Sequence, residues 1–192
     1  MTPHGTPGPA GKRILIGGTG SIAVGGLQPY VEAMRRALPG SVYTVLLTHT
    51  ATSFLSPDAA RLFAERVVSG ESPADWPTDK PSRLAADHDI VVVLPATAHA
   101  LSAAATGAAP NRLLTVVLST DAPVVWFPVM GAKMWRKPAV ERNVARIRED
   151  GGIVPEPEWH PGFDPALGAT APHPGLPAPE KAATLVADLL TD

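Results

Sequence analysis

Four short stretches carry the side chains through which this 192-residue chain could do chemistry. Gly17-Gly18-Thr19-Gly20-Ser21-Ile22-Ala23 follows a short apolar run, Arg13 to Ile16, and leads into a helical pattern. Thr48-His49-Thr50-Ala51-Thr52-Ser53-Phe54 closes a second run. Pro95-Ala96-Thr97-Ala98-His99 closes a third, Val91 to Leu94, and Pro128-Val129-Met130-Gly131-Ala132-Lys133-Met134-Trp135 closes Val124 to Phe127. Bare glycine backbone beside hydroxyls suits an anion, because the exposed N–H and O–H groups donate to it. Histidine adds a group that moves protons near neutral pH. Met130, Met134 and Trp135 supply apolar wall, or plain core.

The glycine turn has neither the G-x-G-x-x-G spacing of a dinucleotide site nor the Lys-Ser/Thr ending of an ATP-type loop. Ser21 adds one hydroxyl for a single phosphate, which favours a mononucleotide such as FMN. A tight turn with no ligand would need the same glycines. Thr48, Thr50 and their neighbours serve that phosphate, cap the next helix, or both. His99 is a candidate base or carboxylate partner; a ring packed against the cofactor is the plainer alternative. His49 pairs with phosphate or faces solvent. His88 reads as a surface residue. His160 and His173 reach a site only if their proline-dense surroundings fold over it.

These stretches require a scaffold of strands. The pattern predicts strands at Arg13–Ile16, Ser41–Thr48, Ile90–Leu94, Leu113–Leu118 and Pro123–Phe127, with Ile153-Val154 as a short addition. Helices are predicted from the glycine turn to Leu38, over Pro57–Val68, Ala98–Thr106 and Pro138–Glu149, and from Pro179 to Leu190. Continuously apolar strands alternating with helices indicate an α/β, Rossmann-like, doubly wound parallel sheet in a single domain, with ligands at the strand ends. Residues 1–11 read as a disordered leader, 12–155 as the ligand-binding domain, 156–179 as a Pro-rich loop or substrate lid, and 180–192 as a C-terminal helix. The small-residue run Ala98–Thr106 packs on the sheet or admits a neighbouring subunit.

A net charge of −2 gives no reason to expect nucleic acid or an anionic membrane. No apolar run is long enough to span a bilayer and no signal core is visible, so a cytoplasmic protein is expected. The chain has no cysteine, which excludes disulfides, thiolate metal sites and a cysteine nucleophile; no metal is assigned.

The joint order of the four stretches resembles the homo-oligomeric flavin-containing cysteine decarboxylases. These include epidermin-type peptidyl-cysteine decarboxylases, phosphopantothenoylcysteine decarboxylase and, more distantly, flavin prenyltransferases. Gly18 to Ala23 looks like their phosphate turn, Thr48 to Phe54 their T-x-S-A-x-x-F segment, Pro95 to His99 their P-A-S-A-N-T motif, and Pro128 to Trp135 their P-x-M-N-x-x-M-W. The resemblance implies FMN between subunits of a trimer, with further assembly to a dodecamer, and a peptide substrate ending in cysteine. It implies phosphate contacts near Ser21 and Thr50 and places Gly18, Thr19, Gly20, Ile22, Thr48 and Phe54 with them in the cofactor-binding set. Thr97, Ala98, Ser119 and Thr120 fall along the ribityl chain and ring, and Met130 on the peptide pocket.

Three departures stand out. His99 replaces one asparagine of the family, and Gly131 replaces the asparagine that binds the substrate carboxylate. Counting back to the catalytic histidine lands on Pro81, beside Lys80. Catalytic candidates are therefore His99, Met130 and Lys80, the last as a carboxylate partner.

The implied chemistry is balanced. A hydride leaves the cysteine Cβ for the flavin and the thiol loses its proton, giving a thioaldehyde. The carboxylate then lies β to C=S and departs as CO2, leaving an enethiolate for aminovinyl-cysteine formation. The coenzyme A branch reduces that product again with a cysteine, which this chain lacks, so an oxidative peptide-modifying decarboxylase is expected. The alternatives are a non-catalytic FMN-binding subunit and phosphopantothenoylcysteine decarboxylase.

Overall fold

The structure, a computed structural model, describes residues 11–70, 76–164 and 167–191. Residues 1–10 of the expected leader lie outside them. Five parallel strands form the central sheet: β1 (Arg13–Gly18), β2 (Val42–Leu47), β3 (Arg66–Val68), β4 (Ile90–Ala96) and β5 (Val124–Pro128). Their order is β3-β2-β1-β4-β5. The chain winds outward from β1 to β3, then returns to the other side of β1, so the winding reverses between β1 and β4.

The strands are apolar throughout because both faces are covered. Ile14, Ile16, Ile90, Val92, Leu94, Val125 and Phe127 pack in one layer with Val31 and Met34 of α1 (Gln28–Ala37) and Ala182 and Val186 of α9 (Pro179–Asp188). The alternate residues, Leu15, Val91, Val93 and Trp126, face the opposite layer. There they meet Leu84 of α4 (Pro81–Ala86), Leu101 of α5 (Ala98–Ala105), Leu113 and Val116 of α6 (Arg112–Ser119), and Val144 and Ile147 of α8 (Pro138–Glu149). The small residues of α5 thus serve packing against α8 within the chain.

Two expected elements are different in the structure. Leu113–Leu118 is helical, not a strand. Asn111 caps it by accepting the Leu114 N–H at 3.0 Å, and Leu113, Leu114 and Val116 form the buried stripe. The helix expected over Pro57–Val68 shortens to α2 (Pro57–Ala60), Arg66–Val68 becomes edge strand β3, and the short helix α3 (Trp76–Asp79) precedes α4. Ile153 contributes an isolated parallel bridge to Val125.

The Pro-rich segment is not an irregular loop. It forms an antiparallel ribbon of β6 (Glu158–Asp164) and β7 (Ala169–Gly175). Its register pairs Pro161 with Pro172 and Trp159 with Pro174. Proline cannot donate, so these are the pairs whose backbone groups point away from the partner strand. The ladder bonds fall instead to pairs such as His160 and His173. Those two rings lie over glycines of the opposite strand. A Cβ on Gly162 would stand 3.1 Å from the His173 ring, and one on Gly175 would stand 3.1 Å from the His160 ring.

His88, expected at the surface, is 7% exposed at the end of α4. Its Nδ1 lies 2.7 Å from the Leu84 carbonyl, which only accepts, so Nδ1 carries the hydrogen. Nε2 then accepts from the Thr44 hydroxyl at 2.9 Å. Burial holds the imidazole below its ordinary range, against the pull of the Leu84 bond. The unfolded chain takes up a proton at the ordinary histidine pKa of about 6.5. The folded chain resists it, so this stability is present above that pH and is lost as pH falls below it. Thermal unfolding at pH 7.5 and 5.5 is expected to show a larger acid loss for the parent chain than for His88→Gln. Equal losses would refute this.

Candidate functional site

The carboxyl ends of β2, β1, β4 and β5 open onto one cavity of about 540 Å³ at the point where the winding reverses. Ligands of open α/β sheets bind at such a point. From the end of β1 come Thr19, Gly20 and Ser21; from β2 come Thr48, His49 and Thr50. Thr97, Ala98 and His99 follow β4, and Val129 and Met130 follow β5, with Met134 from α7 (Ala132–Trp135). At about 4.8 Å between neighbouring strands, the strip from His49 to Met130 covers three spacings, about 14 Å.

The turn after β1 needs its glycine. A Cβ on Gly20 would lie 2.6 Å from the Thr50 methyl, so only bare backbone lets the two loops meet. Gly17 and Gly18 are glycines for packing instead, against Leu113 and against Val24 and Leu47. Thr19 is buried, and its hydroxyl joins two loops. It donates to the Pro95 carbonyl at 2.7 Å and accepts from the Thr97 N–H at 3.1 Å. The Thr48 hydroxyl turns inward to the Gly18 carbonyl at 3.3 Å. Thr97 caps α5 through the Ala100 N–H, and Ser21 accepts from the Ala23 N–H. Half-buried Ser21 and exposed Thr50 line the opening, and neither hydroxyl donates to another group among the described residues.

The structure therefore brings together Thr19, Gly20, Ser21, Thr48, Thr50, Thr97, Ala98, His99 and Met130. It does not bring the remaining candidates to this cavity. Gly18 is buried in β1, Ile22 and Phe54 are exposed outside it, and Lys80 precedes α4 away from the lining. Ser119 and Thr120 end a helix, not a strand, so they lie near the start of β5, at the opposite, amino-terminal ends of the strands. Ser119 bonds the Thr115 carbonyl and Thr120 the Ala85 carbonyl. Pro110 and Asn111 line the cavity without having been singled out in the sequence. A proline followed by asparagine before an apolar run was the available signal, that of a helix cap.

Gly131 begins α7 with an ordinary extended backbone, φ −64°, and no atom lies within 4 Å of an added Cβ. Gly131→Asn is expected to fold normally, with stability changed by less than about 0.5 kcal/mol. Denaturant unfolding measures this; a larger loss would mean that the glycine is structural.

The chain belongs to the flavoprotein family, whose model matches residues 8–172. Mersacidin decarboxylase of Bacillus sp. (strain HIL-Y85/54728) is 34% identical over 173 residues, 89% of this chain and 87% of that protein. The structure of MrsD from Bacillus sp. HIL-Y85/54728 superimposes with a TM-score of 0.80 at 28% identity, covering 94% of this chain and 97% of that one. The FMN-dependent cysteine decarboxylase SpaF gives 0.73 at 30% identity, covering 94% and 95%. The bifunctional coenzyme A biosynthesis protein CoaBC of Mycobacterium tuberculosis (strain ATCC 25618 / H37Rv) is 31% identical over 93% of this chain, which spans only 41% of that longer protein. Among the described residues no helix is long and apolar enough to cross a membrane.

Proposed function

We propose that this chain is an FMN-dependent oxidative decarboxylase of the C-terminal cysteine of a ribosomally made peptide, working in the cytoplasm as a homo-oligomer, trimer or dodecamer. The observation that carries this reading is the single cavity that joins the glycine turn to His99 and Met130. The relatives named mersacidin decarboxylase and cysteine decarboxylase support it. The residues fit FMN. The Gly20 backbone, packed against Thr50, leaves a cradle that a side chain would fill, and the Ser21 and Thr50 hydroxyls suit a phosphate.

FMN, when bound, supplies the hydride acceptor that a saturated cysteine lacks. The chain's own residues hold and shield. Ser21 and Thr50 donate to the phosphate. Thr97 and Ala98 border the middle of the strip. Val129, Met130 and Met134 wall the far end against water. His99, exposed in the first turn of α5, takes the thiol proton. The absence of cysteine favours release of the enethiol over its reduction.

A non-catalytic flavin-binding subunit is the second reading, favoured by Pro81 and Gly131 at places where the resembling enzymes carry functional side chains. An anaerobic mixture of the yellow protein with peptides ending in cysteine separates the two. Flavin bleaching with loss of CO2 and two hydrogens supports the decarboxylase. Retained flavin without peptide conversion supports the subunit, and a chain that FMN cannot reconstitute refutes both.

A further inference from the structure

The strand ends give the cavity a direction: His49 after β2, Gly20 and Ser21 after β1, Thr97 to His99 after β4, and Met130 after β5. At the β2–β1 end, hydroxyls are fewer than the sequence suggests, because Thr19 and Thr48 spend their protons on Pro95 and Gly18. Ser21 and Thr50 remain, both neutral. Among the described residues no lysine or arginine lines the cavity, and its titratable side chains are two histidines. His99 lies two strands along from β2. His49 lies between Thr48 and Thr50, exposed to the opening. A phosphate monoester carries about −1.5 to −2 charges near neutral pH. A charged donor makes a shorter and roughly twice as strong bond to it than a neutral one.

On the flavin reading above, we propose that His49 is the cationic group that meets the cofactor's phosphate and sets the preference for FMN over riboflavin, which ends in a hydroxyl. Lysine, longer but always charged, retains that role at this exposed position; glutamine, similar in reach but neutral, does not.

The test strips the protein of flavin and titrates it with FMN and with riboflavin, following quenching of flavin fluorescence. His49→Gln is expected to weaken FMN about tenfold, the scale of one charge-assisted bond, and to leave riboflavin unchanged. His49→Lys is expected to keep the FMN preference. An unchanged FMN-to-riboflavin ratio in His49→Gln overturns the assignment. So does equal weakening of both flavins, which marks a structural effect, or loss of the preference in His49→Lys. Failure of the parent chain to bind either flavin overturns the reading of the site itself, a distinct result.

Discussion

Replacing His99 by alanine is expected to lower the rate of peptide decarboxylation by about 10²- to 10⁴-fold, the usual worth of a positioned base. Flavin content and unfolding temperature should not change. The side chain is exposed at the start of α5, whose cap is Thr97 and whose buried contacts come from Ala100, Leu101 and Ala103. Truncation therefore removes chemistry without opening the core. His99→Asn separates two roles for the ring. Asparagine donates and accepts hydrogen bonds but does not take a proton from a thiol. If His99 is the base, the asparagine variant is as slow as alanine. Recovery of the parental rate with asparagine would refute the base and make His99 a partner of the carboxylate. A parental rate in both variants would remove His99 from the chemistry altogether.

Thr19→Val should cost about 2–4 kcal/mol of folding stability, because it strands the buried Pro95 carbonyl, at about 1–3 kcal/mol, and the part-buried Thr97 N–H, at about 1 kcal/mol. Valine keeps the shape and deletes the hydroxyl that links the Pro95 carbonyl to the Thr97 N–H. For a chain of this length the corresponding fall in Tm is on the order of 10 °C. Thr19→Ser retains both bonds and should lose far less, about 1 kcal/mol for the missing methyl. Denaturant unfolding of the three proteins decides the matter. A valine variant as stable as the serine variant would mean that another group satisfies Pro95 and Thr97. The glycine turn and the Thr97–His99 loop are held to one another through this hydroxyl, so the valine variant should also bind FMN more weakly.

Much of the sheet was legible because burial on both faces writes strands as unbroken apolar runs, as in Ile14–Ile16 and Ile90–Leu94. The same rule misled at Leu113–Leu118, where Val116 and Val117 read as strand. Connection length would have excluded it. Parallel neighbours need a crossover of about a dozen residues or more, and the stretch from Ser119 to Ala122 is far too short. The lost strand took Ser119 and Thr120 with it. Thr97, His99 and Met130 are legible because they directly follow β4 and β5, on one side of the reversal, as Ser21 and Thr50 follow β1 and β2 on the other. Thr19 and Thr48 were located at the cavity, yet the direction of their hydroxyls depends on the Pro95 and Gly18 carbonyls. No local pattern encodes that. His88 reads as a surface residue for a related reason: its partners are Leu84, one turn back, and Thr44 on β2, far away in the chain.

The prolines of the β6–β7 ribbon bear on how this chain meets its own kind. A bare strand edge is a template, since any extended segment can dock on its alternating donors and acceptors. Of the six outward-facing positions, Pro161 and Pro172 are exposed without an N–H and Pro174 is buried, so β7 keeps an outward donor only at Thr170. A second ribbon approaching that rim finds too few donors to register against. Two-stranded elements are otherwise prone to recruit copies of themselves into fibrils. Here the residues that made the segment look unstructured also stop it from growing.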